Sequence, residues 1–242
     1  MLEGLYAAAA GMTAEQDQLD ATANNISNED TPGYRSEEVG FQDLLYEADD
    51  DDPSSAVVGA GSAASATGYS QLQGSLEQTG EPLDLAIEGD GYFEVRLSNG
   101  TTGLTRDGSF QLNARGQITT ASGQRLVPPI TVPAGTQASD INVASNGVVS
   151  VGGRRVGTLA IVTVPAPDKL LADGNSTYTA TAASGAPRAA RGALVGQGYL
   201  EQSNVDLDVE ISNMESAQQG YEMASKAISM EANMGQIAAT LK

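Results

Sequence analysis

All nine prolines of this chain lie between Pro32 and Pro187. Proline removes a backbone donor and breaks helices, so only the two ends can carry long uninterrupted ones. Both ends are patterned for that. From about Leu2 to Ile26 the residues Leu2, Ala9, Gln16 and Ala23 recur every seven, and so do Leu5, Met12, Leu19 and Ile26, three residues further on. This is an a/d heptad stripe with Gln16 as its one polar intrusion. A helix of this length is roughly 38 Å long and has one narrow seam to bury. Alone it is marginal, because most helical stability comes from packing, and Gly4 and Gly11 weaken it further.

The closing segment runs from about Asn204 to Lys242. Leu207, Ile211, Met214, Gln218, Tyr221, Ser225 and Ile228 are spaced alternately by four and three. A second stripe, Met223, Ala227, Met230, Met234, Ile237 and Leu241, continues the alternation. Two overlapping seams on one helix imply contacts with more than one neighbour. A single hairpin with the N-terminal helix would need only one.

Between the helices the period changes to two. From about Gln71 to Ala190, short apolar-polar alternations such as Tyr92–Leu97, Ser109–Leu112 and Gln117–Thr119 are separated by Asn99-Gly100, Asp107-Gly108, Arg115-Gly116, Ser122-Gly123, Asn146-Gly147 and Gly152-Gly153. Such dipeptides between strands of four to six residues predict successive antiparallel hairpins. Thr158–Val164 is the most apolar stretch and reads as one central strand. The fold class expected is α+β: N- and C-terminal helices paired as a coiled coil, with an antiparallel all-β middle. The expected organisation is a helical domain of residues 1–30 and 204–242, a connector of 31–70 and 191–203, and a β domain of 71–190. Within the connector, Asp49–Asp52 is a solvated charge run, and the Gly/Ala/Ser-rich stretch to Gly68 has the composition of a loop.

The formal charge is −19, and the first 52 residues hold 14 acids against one base, Arg35. Like charge repels nucleic acid and anionic membrane, so neither is expected as a partner. No run approaches the ~20 apolar residues of a membrane span, and MLEGLYAAAAGM lacks the basic start of a secretory signal. With no His and no Cys, the usual base, the thiol nucleophile and the common zinc ligands are missing. Lys169, Lys226 and Lys242 stand in no recognisable nucleophile setting. No enzyme activity and no cofactor are expected. A secreted β-domain adhesin or binding module with helical tails is the alternative from another class, but the middle has few aromatics for a binding platform.

Ala23-Asn24-Asn25-Ile26-Ser27-Asn28-Glu29-Asp30-Thr31-Pro32-Gly33-Tyr34 closes the first helix with an Asn-rich, then Pro-Gly, break. It resembles the Ala-Asn-Asn-x-x-Asn-x-x-Thr-Pro-Gly-Tyr/Phe motif of the bacterial flagellar rod and hook (axial) proteins. Four further blocks resemble that family in its order: Thr79–Phe93, Thr105–Phe110, Gln197–Val205 and Tyr221–Ile228. The C-terminal blocks are most similar to the distal rod type, whereas residues 49–68 match nothing in the family; a proximal rod or hook paralogue is the alternative. The resemblance implies a structural subunit that polymerises helically into a hollow, torque-transmitting tube in the flagellar basal body. Its helices would form the inner layer and the β domain the outer one. It implies other rod and hook proteins as partners, and export through the flagellar type III apparatus without a cleaved signal. Phe41 and Leu45 then fit a Phe-x-x-x-apolar export-gate motif; the residues alone read as core packing, and the resemblance reverses that preference.

Overall fold

A computed structural model describes residues 2–45 and 59–240. Two compact units are formed: residues 1–27, 37–67 and 206–242 in one, and 28–36 and 68–205 in the other. The run Asp49–Asp52, Tyr46 and Leu241 lie outside the described residues.

The first unit holds the helices α1 (Leu2–Ser27) and α2 (Leu207–Thr240), with a two-stranded sheet of β1 (Glu37–Leu45) and β2 (Gly59–Tyr69). The Gly/Ala/Ser-rich stretch expected as a loop is therefore a strand in its second half. Small side chains do not prevent extended pairing, and here the backbone of Gly61 approaches Ala7 of α1. Asp206 caps α2, its Oδ1 accepting from the backbone N–H of Asp208 at 3.1 Å and Val209 at 3.2 Å. Asp208 and Glu210 in the first turn suit the positive end of the helix dipole.

The helices pack antiparallel: Gly4 lies against Glu231, Glu15 against Gly220, and Asn25 against Glu210. The face α1 buries centres on Ala14, Ala21, Thr22 and Asn25. Ala14 and Ala21 stand two residues beyond Met12 and Leu19 of the Leu5–Met12–Leu19–Ile26 stripe, a rotation of about 200°. Those four side chains are half-buried, and Ala9, Gln16 and Ala23 are exposed. Small residues let the helix axes approach closely, which is why an alanine face can win over a leucine one here. On α2, Leu207, Met214, Tyr221 and Ile228 are half-buried on the face that also carries the buried Glu210 and Ala217. Ile211 is exposed, as are Met223, Met230 and Met234.

The second unit is built of β-strands, with two single-turn 3-10 helices at Ala138–Asp140 and Pro167–Lys169. Its strands are β3 (Leu76–Gln78), β4 (Leu85–Glu88), β5 (Tyr92–Arg96), β6 (Thr102–Thr105), β7 (Phe110–Leu112), β8 (Ile118–Thr120) and β9 (Arg125–Leu126). They are followed by β10 (Ile141–Val143), β11 (Val148–Val151), β12 (Arg154–Thr158), β13 (Ile161–Thr163), β14 (Leu171–Gly174), β15 (Thr177–Thr179), β16 (Arg188–Ala189), β17 (Leu194–Gln197) and β18 (Tyr199–Glu201). The main sheet has the order β14-β15-β6-β5-β9-β8-β7, with β13 bridging β5 and β16. β10, β11 and β12 form a separate meander, and β17 and β18 return to pair with β4 and β3. Every pairing is antiparallel.

The main sheet is covered on both faces at Tyr92 and Phe93. Phe93, Val95, Phe110, Ile118 and Leu126 enter one core; Tyr92, Leu104, Val162 and Tyr178 enter the other. Phe93 meets Phe110 edge-to-face at 5.2 Å, a geometry that adds to simple burial. Thr158–Val164 is not one strand. It divides at the buried Leu159, so that β12 stays in the meander and β13 crosses into the main sheet.

Candidate functional site

Three of the sequence blocks meet in one place inside the β unit. Thr31-Pro32-Gly33-Tyr34 makes a turn closed by Tyr34 N–H donating to Thr31 O at 3.2 Å. Proline at its second position and Gly33 at φ 67° give the type II geometry. A Cβ on Gly33 would stand 2.4 Å from the backbone of Arg106 and Asp107. The turn therefore seats directly on the Thr105–Phe110 block. That block is itself pressed onto β4: a Cβ on Gly108 would lie 1.7 Å from Leu85 O.

This close seating brings together Arg35, Arg106 and Glu201. Arg35 Nη2 lies 3.0 Å from Glu201 Oε1, and Arg106 Nη1 3.0 Å from Oε2, with all three side chains at most 4% exposed. Arg35 Nη1 also donates to Leu72 O. Arg106 donates to Ile87 O at 3.3 Å and to Gly89 O at 2.8 Å, and its guanidinium lies 5.4 Å from the Tyr92 ring centre. Glu201 Oε1 accepts from Gly74 N–H, and its backbone oxygen from Gly33 N–H at 2.8 Å. Among the described residues neither Nε of the two arginines has a partner.

Burial lowers the Arg106 pKa, opposed by the Glu201 carboxylate. Burial raises that of the Tyr92 hydroxyl, which Arg35 and Arg106 oppose and which donates to Gln71 at 2.9 Å. Burial also pushes the Tyr178 hydroxyl well up. It raises the Asp107 carboxyl as well, opposed by hydrogen bonds from Ser109.

Two arginines around one carboxylate make an expensive arrangement. A buried ion pair contributes little net stability, but losing one partner leaves charge stranded and costs about 3–5 kcal/mol. What the knot supplies is register. Segments 33–36, 70–74 and 201–204 are sewn side by side: Ser36 N–H donates to Asn204 Oδ1 at 2.7 Å, Ser70 N–H to Ser36 O at 2.8 Å, and Asn204 Nδ2 to Leu72 O at 2.9 Å. These segments adjoin positions 36/37, 67/68 and 205/206, where the chain passes between its two units.

A smaller counterpart lies in the helical unit. Asn25 Nδ2 donates to Glu210 Oε1 at 2.8 Å and to Glu37 O at 3.0 Å, while its Oδ1 accepts from Glu37 N–H at 2.8 Å. The second Asn of the Ala-Asn-Asn motif thus ties the end of α1 to the starts of β1 and α2. Of the rest of that motif, Ala23 and Asn24 are exposed; Asn28, Thr31 and Pro32 are half-buried; Gly33 and Tyr34 are buried. Phe41 stands 51% exposed on β1 and enters neither core. The side chains of Leu45 and Ile237 lie outside the described residues. The convergence of Arg35, Arg106 and Glu201 was not read from the sequence. The available signal was a charge inside each of three turn-rich blocks.

Three family patterns match the chain: "Flagella basal body rod protein" at residues 5–35, "Flagellar hook protein FlgE/F/G D1 domain" at 86–151, and "Flagellar basal body rod FlgEFG protein C-terminal" at 197–241. The flagellar basal-body rod protein FlgG of Caulobacter vibrioides is 36% identical, with all of both chains covered. FlgG of Buchnera aphidicola from Acyrthosiphon pisum is 34% identical over 97% of each chain. The rod protein FlgF of Caulobacter vibrioides is 31% identical over 98% of this chain and 97% of its own. With its helical ends, its β middle and the knot built from shared blocks, this chain belongs to the flagellar hook and basal-body rod protein family.

Proposed function

We propose that this chain is a structural subunit of the bacterial flagellar basal-body rod, of the distal type, polymerising helically into a tube that transmits torque from motor to hook. The observation that carries the reading is the unspent apolar surface of the terminal helices. Met223, Met230 and Met234 are 66%, 63% and 57% exposed, and Ile211 39%. Leu5, Met12, Leu19 and Ile26 are only half covered. A helix pair that buries its alanines and leaves its methionines outward is built to be covered by other helices. A head-to-tail, non-closing contact repeated between copies gives an open tube.

The inner coiled-coil layer, the flagellar rod and hook neighbours and type III export belong to the same reading. So does placement in the cell-envelope section of the basal body. The full-length similarity to proteins named FlgG favours the distal over the proximal paralogue. Among the described residues no helix is long and apolar enough to cross a membrane. The test is direct: the purified full-length chain, concentrated, should form tubes visible by electron microscopy. A chain that stays monomeric at every concentration and salt overturns the reading in favour of a binding module.

A further inference from the structure

We propose that Arg96 and Arg125 form a docking site for the acidic run Glu47–Asp52 of a second copy of this chain. The proposal rests on the polymer reading above but begins from the sheet. Arg96 on β5 and Arg125 on β9 are direct cross-strand partners, so their Cβ atoms are about 5 Å apart on the same face. Like charges placed so are destabilising. Both side chains are exposed. Neither has an ion pair among the described residues, although Arg96 Nη1 donates to Gly100 O at 2.9 Å. The acid on the same face and strand, Glu94, is half-buried. Its carboxyl is pushed up by burial, with Arg96 acting against that, and it leaves the pair cationic.

Charge is also segregated along the chain. The helical unit contains most of the carboxylates and only Lys226 and Lys242 as cations; every other Lys and Arg lies in the β unit. There Arg96, Arg115, Arg125, Arg154, Arg155, Arg188 and Arg191 have no ion pair among the described residues, and Lys169 pairs with its neighbour Asp168. A chain of charge −19 in which seven of nine arginines have no ion pair among the described residues keeps complementarity for contacts between copies.

The run Glu47–Asp52, with five carboxylates in six residues, is the densest run of negative charge in the sequence. Of the other acids in the helical unit, Asp20 accepts from Gln16 and Glu210 from Asn25. Two adjacent guanidinium forks suit paired carboxylates. A cationic patch in one unit and an acidic run in the other are also the two different surfaces that a head-to-tail contact requires.

The test uses the full-length chain in two ways. First, a fluorescent peptide of residues 44–56 is titrated with wild type and with Arg96→Glu/Arg125→Glu. Saturable binding should weaken about tenfold or more in the variant and on raising salt from ~0.05 to ~0.5 M. Absence of binding, or equal binding to the variant, overturns the proposal. Second, the critical concentration for assembly is measured. It should rise in Arg96→Glu/Arg125→Glu and in a chain with Asp49–Asp52 changed to Lys, and return towards wild type when both sets are combined. Failure of the combined chain to recover, with each β unit folded by circular dichroism, also overturns it. If wild type binds the peptide in the salt-sensitive manner but never polymerises, the rod reading falls and the docking site stands.

Discussion

Arg106 and Glu201 are 95 residues apart in the chain and 3.0 Å apart in the fold. With Arg35 on the other carboxylate oxygen, they join the segment that follows α1 to the one that precedes α2.

Glu201→Gln should destabilise the β unit by about 3–5 kcal/mol, because it strands two buried guanidinium groups. Arg35→Met/Glu201→Leu, which removes one cation with the anion, should cost less. Urea unfolding of both chains checks the order; equal costs would mean that shape rather than charge balance governs the site.

Gly33→Ala should be far more damaging than Gly100→Ala. Both positions have positive φ, 67° and 84°, and share a strain of about 1–2 kcal/mol. Only Gly33 is also blocked, with the Arg106 backbone 2.4 Å from the added Cβ, whereas nothing lies within 4 Å at Gly100. Thermal midpoints of the two variants decide it.

Alkaline pH should loosen the β unit. Tyr92 and Tyr178 have hydroxyls raised above the ordinary value of 10.0, in each case chiefly by burial. The native state therefore holds their protons more tightly than the unfolded state. This contribution is complete below pH 10 and is lost as pH rises through the native values. Absorbance at 295 nm should show two tyrosines ionising only with the loss of tertiary circular dichroism.

Met230→Asp and Ile228→Asp should separate assembly from folding. Met230 is 63% exposed, so its replacement should leave the subunit folded and abolish tubes. Ile228 is half-buried on the face towards α1, so its replacement should also weaken amide protection in the helix pair. Wild-type tubes from Met230→Asp would remove this face from the assembly contact.

Phe41→Ala should reduce secretion without unfolding the chain. A side chain 51% exposed and outside both cores contributes little to stability. Normal secretion of the variant would reject the export role.

What the sequence determined by itself was local. The extent of α1 and α2 followed from heptad spacing and the confinement of proline, and the hairpin turns from pairs such as Asn99-Gly100 and Asn146-Gly147, because period and turn chemistry act over a few residues; Asp107-Gly108 makes no hairpin, since β6 pairs with β5 and β15 and β7 with β8. Asn25 and Gly33 stood out for the same reason, as parts of one contiguous motif. Tertiary structure decided what depends on a distant partner. The buried face of α1 runs through Ala14 and Ala21 rather than Met12 and Leu19, since the approach of α2 and β2 favours small side chains. Thr158–Val164 splits at Leu159 because two different sheets compete for its ends. Arg35, Arg106 and Glu201 form a site only when the fold closes, since the pairing of buried charges is set by the space they share and not by their spacing along the chain.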